Sequence, residues 1–278
     1  MSSKAKKRNT YRERDKNLSP ILISTTVDIV NKFIDIIVVI ALFLCGTYAT
    51  YSLWDNYQVY NAEKIVRKDI EKFKPVIDEN KPDGMDKSMF GELMKINSDV
   101  CGWVTINNTQ IDYPIVRAEN NMKYLRTDLY GNYSVAGSIF MDSRCNKNFN
   151  DPVSLVYGHH MANRSMFGDI DLYKDADFFR NNQSGTLITK DKNYPLTVLG
   201  FFLKPKNDDV LFNPERFTYD NFQSFLKYIE TDARYFNKNL IEEVKYAPST
   251  PKILILSTCS YEFSDARAVL VCLMHSSQ

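Results

Sequence analysis

Short apolar runs separated by turn residues dominate the chain from Cys101 to its C-terminal end. The runs are rich in Val, Ile, Leu, Phe and Tyr, and most of these residue types favour strands. The eight runs are 102–106, 112–116, 137–141, 153–157, 186–189, 196–203, 252–258 and 268–274. Eight short strands at this spacing predict a closed barrel or a sandwich.

Three other segments have the apolar spacing of a helix. Residues 57–76 carry one apolar stripe among Lys and Glu residues, and Pro75 marks the end of that segment. A shorter helix is predicted around residues 90–96. A third, 219–235, falls between the sixth and seventh predicted strands. The predicted fold class is therefore mostly β, with N-terminal helices and one helix inserted into the strand order.

A segment of 19 residues without a charge, 36–54, comes before these elements. As a helix it is about 29 Å long, close to the hydrocarbon thickness of a bilayer. Seven Lys and Arg residues face only two acidic residues within the first 20 positions. Because basic flanks stay cytoplasmic, the pattern predicts a single-pass anchor with the C-terminal part outside the cell. A cleaved signal peptide is disfavoured, since the segment is longer than a usual signal-peptide core.

These boundaries divide the chain into four predicted parts. Residues 1–33 form a cytoplasmic basic arm and the approach to the membrane, and 34–54 form the transmembrane anchor. Residues 55–100 form extracellular N-terminal helices, and 101–278 form the β-barrel.

The composition excludes several other classes of function. The chain has 278 residues, 44% hydrophobic and 25% charged, which is the range of ordinary globular proteins. Its net charge of +1 argues against a nucleic-acid partner. None of the five cysteines has the spacing of zinc ligands, so we predict no metal and no cofactor. The simplest interpretation is one functional thiol and four incidental small side chains.

The candidate chemistry lies where predicted strands end. Cys259 directly follows the run 252–258, and Arg267 opens the last strand eight residues later. A cation beside a thiol lowers its pKa and makes it a nucleophile. His159 and His160 end another strand in the same way. Because neighbouring residues on a strand point to opposite faces, only one of the two can face Cys259.

The chain resembles the class B sortases in three motifs. These are Tyr157-Gly158-His159-His160, Leu256-Ser257-Thr258-Cys259, and Arg267 eight residues after the cysteine. The segments 96–104, 111–116 and 137–142 also resemble the family, and the resemblance extends from residue 57 to the C-terminal end.

This resemblance implies an eight-stranded closed barrel with a Cys, His and Arg at its catalytic centre. It implies that the first histidine of the pair, His159, is the catalytic one. It also implies that Asn121, Leu125 and Ser257 contact the substrate, and that no metal is bound.

The implied activity is that of a membrane-anchored cysteine transpeptidase. It would cleave a C-terminal sorting motif of secreted proteins through a thioester and transfer the acyl group to a peptidoglycan amine. One alternative is a pilin polymerase, whose acceptor is a Lys of another subunit; the lack of an obvious occluding lid before the first strand argues against it. A second is a catalytically silent anchored binding domain. A zinc site formed by His159, His160 and Cys259 is disfavoured, because adjacent histidines diverge and a fourth ligand is not apparent.

Overall fold

The computed structural model describes residues 3–78, 80–81, 84–218, 221–247, 251–259 and 266–275, with side chains from Ser24 onward except those of Cys259 and Ala266. Two compact units form, Met1–Gln58 and Val59–Gln278. The α-helices are α1 (Ser3–Glu71), α2 (Ser88–Ile96), α3 (Ala176–Asn181), α4 (Phe222–Asp232) and α5 (Lys238–Lys245), and short 3-10 helices cover Lys123–Leu125, Gly168–Lys174 and Pro214–Arg216. The strands are β1 (Val76–Ile77), β2 (Met85–Asp86), β3 (Val100–Ile106), β4 (Asp112–Val116), β5 (Phe140–Met141), β6 (Val153–His159), β7 (Ser184–Ile188), β8 (Asn193–Pro205), β9 (Tyr235–Phe236), β10 (Lys252–Cys259) and β11 (Ala266–Met274).

Eight of these strands form a closed barrel, which confirms the predicted fold class. The order around the barrel is β11-β10-β6-β5-β4-β3-β7-β8, and the ring closes where β8 pairs with β11. The 13-residue strand β8 closes the ring, because its first part pairs with β7 and its longer second part with β11. The short β9 adds to β8 outside the ring, and β1 and β2 form a separate hairpin.

The barrel core explains why the apolar runs are continuous rather than alternating. Ile253, Leu254, Ile255 and Leu256 of β10 are consecutive and fully buried, so both faces of this strand are covered. Each such side chain contributes about 1.5–3 kcal/mol by leaving water. The interior therefore fixes the ends of β6 and β10, which carry the candidate chemistry.

Two predicted helices have different bounds in the structure. The helix predicted at 57–76 is the last part of α1 and ends at Glu71. Pro75 disfavours the helical conformation for the residue before it, and the chain continues as strand β1. The helix predicted at 219–235 is α4 and lies between the sixth and seventh barrel strands, as expected. Its predicted first two residues lie outside the described part of the chain.

Some elements were not predicted, and one predicted strand is shorter than expected. Helices α3 and α5, of six and eight residues, are not among the predicted helices. The strand predicted at 137–141 contains only Phe140 and Met141, because Gly137 adopts a φ of +58° and belongs to the preceding turn.

The N-terminal helix carries one segment that is long and apolar enough to cross a membrane. This segment lies within Ser24–Glu71 and reaches a mean hydropathy of 2.3 over 18 residues. Its apolar side chains are exposed, with Leu42 at 66% and Phe43 at 70%. Such exposure is unfavourable in water and fits a lipid environment.

Candidate active site

Cys259 and His159 end two neighbouring strands that run in the same direction. Strands β6 and β10 are parallel and stay in register from Val153 opposite Ile253 to His159 opposite Cys259. The barrel therefore brings together two residues that are one hundred positions apart in sequence.

Gly158 allows close packing beneath this pair. A Cβ atom on Gly158 would lie 2.4 Å from Ile139 Cδ1 and 2.7 Å from the Phe167 ring. The residue lies within β6 and is not among the glycines with positive φ. Its role is therefore close approach of the neighbouring side chains rather than a tight turn.

Arg267 lies on the other side of β10, near the start of β11. The two strands are antiparallel, with Lys252 opposite Met274 and Ser257 opposite Val269. At the end of this ladder the Thr258 hydroxyl accepts a hydrogen bond from the Ala268 backbone N–H at 3.1 Å. The Arg267 guanidinium donates to the Thr258 carbonyl at 3.4 Å, which holds it beside the residue before Cys259.

An aromatic ring supports the Arg267 side chain. The Cζ atom of Arg267 lies 5.5 Å from the centre of the Phe212 ring, a cation–π distance. Phe212 in turn offers its carbonyl to Arg144 Nη2 at 2.9 Å. Phe212 lies between β8 and α4 and far from Arg267 in sequence, so no local pattern signalled this contact.

A backbone carbonyl oxygen holds the His159 ring. Its Nε2 lies 2.8 Å from the Leu125 carbonyl oxygen, which can only accept a hydrogen bond, so Nε2 carries the proton. In the neutral ring Nδ1 is then the proton acceptor. Burial lowers the pKa of His159 below its ordinary value of 6.5, and the nearby Arg126 charge acts in the same direction. The ring is therefore poised as a neutral base.

Gly137 fixes the carbonyl that holds this histidine. A Cβ atom on Gly137 would lie 2.7 Å from the Leu125 oxygen and 2.5 Å from the Tyr124 oxygen. Only glycine allows this approach with a φ of +58°.

His160 faces a different set of partners. Its Nε2 lies 3.0 Å from Asp171 Oδ2, and Lys174 binds the same carboxylate at 2.8 Å. The bond to Asp171 raises the pKa of His160. Adjacent histidines therefore diverge, as strand alternation requires. Within the described part of the chain no group of three or more His, Cys, Asp or Glu side chains is arranged to hold a metal ion.

The third histidine, His275, lies at the other end of the barrel. It follows the C-terminal end of β11 and is 2.8 Å from the Thr197 hydroxyl. It is half-buried.

Four other cysteines are free thiols, but none has the surroundings of a nucleophile. Cys45 lies in the apolar helix α1, while Cys101, Cys145 and Cys272 are buried in the barrel unit. Burial raises the pKa of each of these three thiols to about 12. They remain protonated at neutral pH, which agrees with the interpretation of incidental small side chains.

The three predicted substrate contacts have different surroundings. Leu125 is half-buried next to His159 and holds that ring through its carbonyl. The Asn121 amide donates to Asp142 at 3.1 Å and accepts from the Ser143 N–H at 2.7 Å. Ser257 is fully buried, and its hydroxyl donates to the Thr258 carbonyl. Asn121 and Leu125 therefore lie where a substrate can reach them more readily than Ser257.

Asp142 is a residue of this site that was not predicted. Its side chain is completely buried and accepts two hydrogen bonds from the Arg144 guanidinium, at 2.9 and 2.8 Å, and one from the Arg144 backbone N–H at 3.0 Å. Asn121 and Tyr157 donate one hydrogen bond each. Burial alone would raise the pKa of Asp142, but the Arg144 bonds outweigh it and lower the pKa below 3.8. The carboxylate joins the Asn121 loop to Arg144 and, through Phe212, to Arg267. The sequence signal was a strand end followed by Asp and Arg two positions apart.

Replacing Asp142 with Asn should destabilise the barrel by about 2–3 kcal/mol at pH 7, because a buried charge-assisted bidentate pair is lost. The folded-state pKa of Asp142 is depressed, so its contribution is fully present above the unfolded-state value and is lost as the pH falls through the folded-state value. Urea unfolding should therefore show a difference in the free energy of unfolding between wild type and Asp142→Asn. This difference should be constant from pH 7 to about pH 4 and become smaller below pH 4. A difference in the free energy of unfolding that increases in acid would contradict the ion pair as the cause.

Comparison with known proteins identifies the family. No family model matches the chain. The sortase B of Listeria monocytogenes is 31% identical over 171 residues, covering 62% of this chain and 67% of that protein. The crystal structure of a Streptococcus pyogenes class B sortase involved in pilus biogenesis has a TM-score of 0.60 and 31% identity, and the match covers 68% of this chain and 98% of that one. Sortase B from Bacillus anthracis has a TM-score of 0.64 at 26% identity, covering 80% and 99%.

All of these proteins are sortases. The barrel fold and the relatives of this chain therefore define the protein as a cysteine transpeptidase. The chain belongs to the class B sortases.

Proposed function

We propose that Cys259 is the nucleophile of this sortase, His159 its acid/base partner, and Arg267 the cation that stabilises the tetrahedral oxygen. The observation that carries the proposal is the parallel register of Cys259 with His159. Residues in register on neighbouring strands lie about 4.8 Å apart and on one face of the sheet. The antiparallel ladder reaches Ser257 opposite Val269, and the same register continued by two residues would set Cys259 opposite Arg267. Three neighbouring strands thus supply the three groups.

The first half-reaction forms a thioester. The Cys259 sulfur attacks the carbonyl carbon of a Thr in the sorting motif, and the thiol proton passes to Nδ1 of His159. Arg267 stabilises the charge on the tetrahedral oxygen. The C–N bond then breaks, and the imidazolium gives its proton to the leaving amine.

The second half-reaction restores the enzyme. An incoming amine attacks the thioester carbon, His159 accepts the proton of that amine, and the sulfur leaves and takes this proton from the imidazolium, which restores the thiol and the neutral ring. The acyl group ends in a new amide bond. We propose secreted proteins with a C-terminal sorting motif as donors and a peptidoglycan amine as acceptor. Asn121 and Leu125 contact the donor, and Ser257 supports the strand that carries the nucleophile.

Arg267→Lys tests the role of the guanidinium. Lys keeps the charge but loses the planar pair of donors, so we expect kcat on a sorting peptide to fall by about 100-fold. Thermal stability and alkylation of Cys259 by iodoacetamide should stay near wild type. Since the motif of the natural substrate is unassigned, the substrate is chosen from a peptide library with one fixed Thr. Unchanged turnover would make Arg267 a surface charge and leave the oxyanion donors unidentified.

Pilus assembly is a second candidate function. The favouring observation is the relative from Streptococcus pyogenes, a class B sortase involved in pilus biogenesis that is 31% identical to this chain. The two functions differ only in the acceptor amine, a peptidoglycan amine or a Lys of another subunit. Competition between a stem-peptide amine and a Lys-containing pilin-like peptide, measured by product mass, distinguishes them.

We further propose that the apolar helix anchors the enzyme in the cell membrane with its N-terminus in the cytoplasm. The basic arm before the span supports this orientation. The proposed parts are the arm 1–33, the anchor 34–54, the helical region 55–100 and the catalytic barrel 101–278. The compact unit that begins at Val59 supports a separate extracellular domain.

Deletion of residues 1–54 should yield a soluble, folded enzyme with unchanged kcat/KM, because the buried apolar core of the described residues begins at Ile70, within the unit that starts at Val59. Gel filtration, circular dichroism and peptide cleavage measure the three properties. The full chain in detergent micelles is the matched control. A truncated protein that aggregates or loses activity would contradict the separation of anchor and enzyme.

A further inference from the structure

A groove of about 280 Å³ lies at the barrel end opposite to Cys259. It is lined by residues from the start of β3 and the β7–β8 turn, and by Asn148 and Asn150, which precede β6. Strand β10 begins at this end with Lys252 and ends with Cys259, seven residues further on. At about 3.3 Å per residue the groove and the candidate active site are about 23 Å apart.

The groove carries positive charge from two separate connections. Lys147 comes from the segment before β6, whereas Lys190 and Lys192 come from the turn between β7 and β8. A fourth ammonium group, that of Lys252, lies 5.9 Å from the centre of the ring of Tyr194, which is a lining residue. One carboxylate, Asp191, is part of the lining. We call this site the lysine groove.

Within the described part of the chain none of these four ammonium groups forms an ion pair with a carboxylate. Lys147 donates to the Ser98 carbonyl, and Lys252 to the Phe149 carbonyl at 2.8 Å. These acceptors are neutral, so the charges remain. Many other lysines of the barrel unit, such as Lys245, are paired with carboxylates.

The charges in the lysine groove influence one another. Burial lowers the pKa of Lys252, and the positive charge of Lys192 lowers it further, while Asp151 acts in the opposite direction. A concave site with an excess of one sign of charge, here three lysines against Asp191, concentrates the electrostatic potential and attracts counter-ions. A bound anion would relieve the repulsion.

We propose that the lysine groove binds a linear phosphodiester polymer. Lysine is a compact cation that binds phosphate oxygens as a point charge. Because the ammonium groups come from two connections rather than one, successive phosphates of a chain can contact Lys147 and the Lys190–Lys192 turn. Several contacts of this kind give salt-dependent affinity without a deep pocket. A bound polymer would hold the barrel by the end that carries the lysine groove. The opposite end of the barrel, which carries Cys259, would stay open to substrates.

Binding is tested with the full chain in non-ionic detergent and synthetic poly(glycerol phosphate) as the probe. Lys190→Glu with Lys192→Glu should weaken binding by at least about 10-fold. The wild-type affinity should fall steeply between about 50 and 200 mM salt. The matched control is Lys227→Glu with Lys238→Glu, two exposed lysines on α4 and α5 that give the same change in net charge. The control should bind like wild type, and both variants should cleave the sorting peptide at the wild-type rate.

Five outcomes would overturn the proposal, and four of them concern the affinity measurements. These are the absence of wild-type binding at low salt, an equal loss in the control pair, equally tight binding of inorganic phosphate, or binding of anionic lipid vesicles without binding of the polymer. Binding through the basic N-terminal arm would leave the groove variant unchanged and would also overturn it. Lys190→Gln with Lys192→Gln repeats the test without charge reversal if the first variant does not fold.

Discussion

Cys259→Ala is expected to abolish both cleavage of a sorting peptide and its transfer to an amine. The loss should be at least about 1000-fold, because no other group can form the thioester. The other four thiols cannot replace it, since three are buried with a raised pKa and Cys45 lies in the apolar helix. Fluorescence of a quenched peptide measures cleavage, and mass spectrometry measures the transfer product.

Cys272→Ala is the matched control for Cys259→Ala. This substitution also removes one thiol, but from strand β11 of the same barrel. The variant should lose some stability and retain turnover at a temperature where it is folded. Equal peptide cleavage by Cys259→Ala and wild type would contradict the assignment of Cys259 as the nucleophile. Absence of cleavage by both proteins would instead favour the interpretation of a catalytically silent anchored binding domain.

His159→Ala should reduce kcat by about 1000-fold, because the same ring accepts and returns the proton in both half-reactions. His160→Ala should leave kcat nearly unchanged and cost at most about 1 kcal/mol of stability, typical of an exposed ion pair. This pair of variants is internally matched, since both remove an imidazole from adjacent positions. The reverse ranking would mean that His160 is the catalytic residue.

The pH profile gives a second measure of the same assignment. A neutral His159 is the base, so kcat/KM should fall as the pH drops through the pKa of this ring. Burial lowers that pKa, and the acidic limb should therefore lie below pH 6.5. An acidic limb above pH 6.5 would instead match His160, whose pKa is raised by Asp171.

Much of the barrel could be predicted from the sequence, because strand position depends on local apolar runs. The runs 153–157 and 252–258 correspond to β6 and β10, and each ends close to a candidate residue. The parallel register between them depends on the closed barrel and not on either run alone. The sequence therefore predicted which residues end the strands, whereas the structure shows that these ends adjoin.

The supporting contacts of the site could not be predicted, since they join distant or backbone atoms. The bond between His159 and the Leu125 carbonyl uses an atom that every residue possesses. The Phe212 ring beside Arg267 comes from an irregular connection without periodicity. Asp142 had a visible signal in its neighbour Arg144, but its complete burial depends on the fold.

The most direct test of the central claim is the detection of an acyl group on Cys259 during turnover. The full chain in detergent is mixed with a sorting peptide in the absence of an amine, quenched in acid, and digested for mass spectrometry. We expect a thioester on the peptide that contains Cys259, with the mass of the substrate fragment ending at Thr, and we expect this adduct to disappear when an amine is added. An enzyme that turns over the peptide with no adduct, or with the adduct on another residue, would contradict the account.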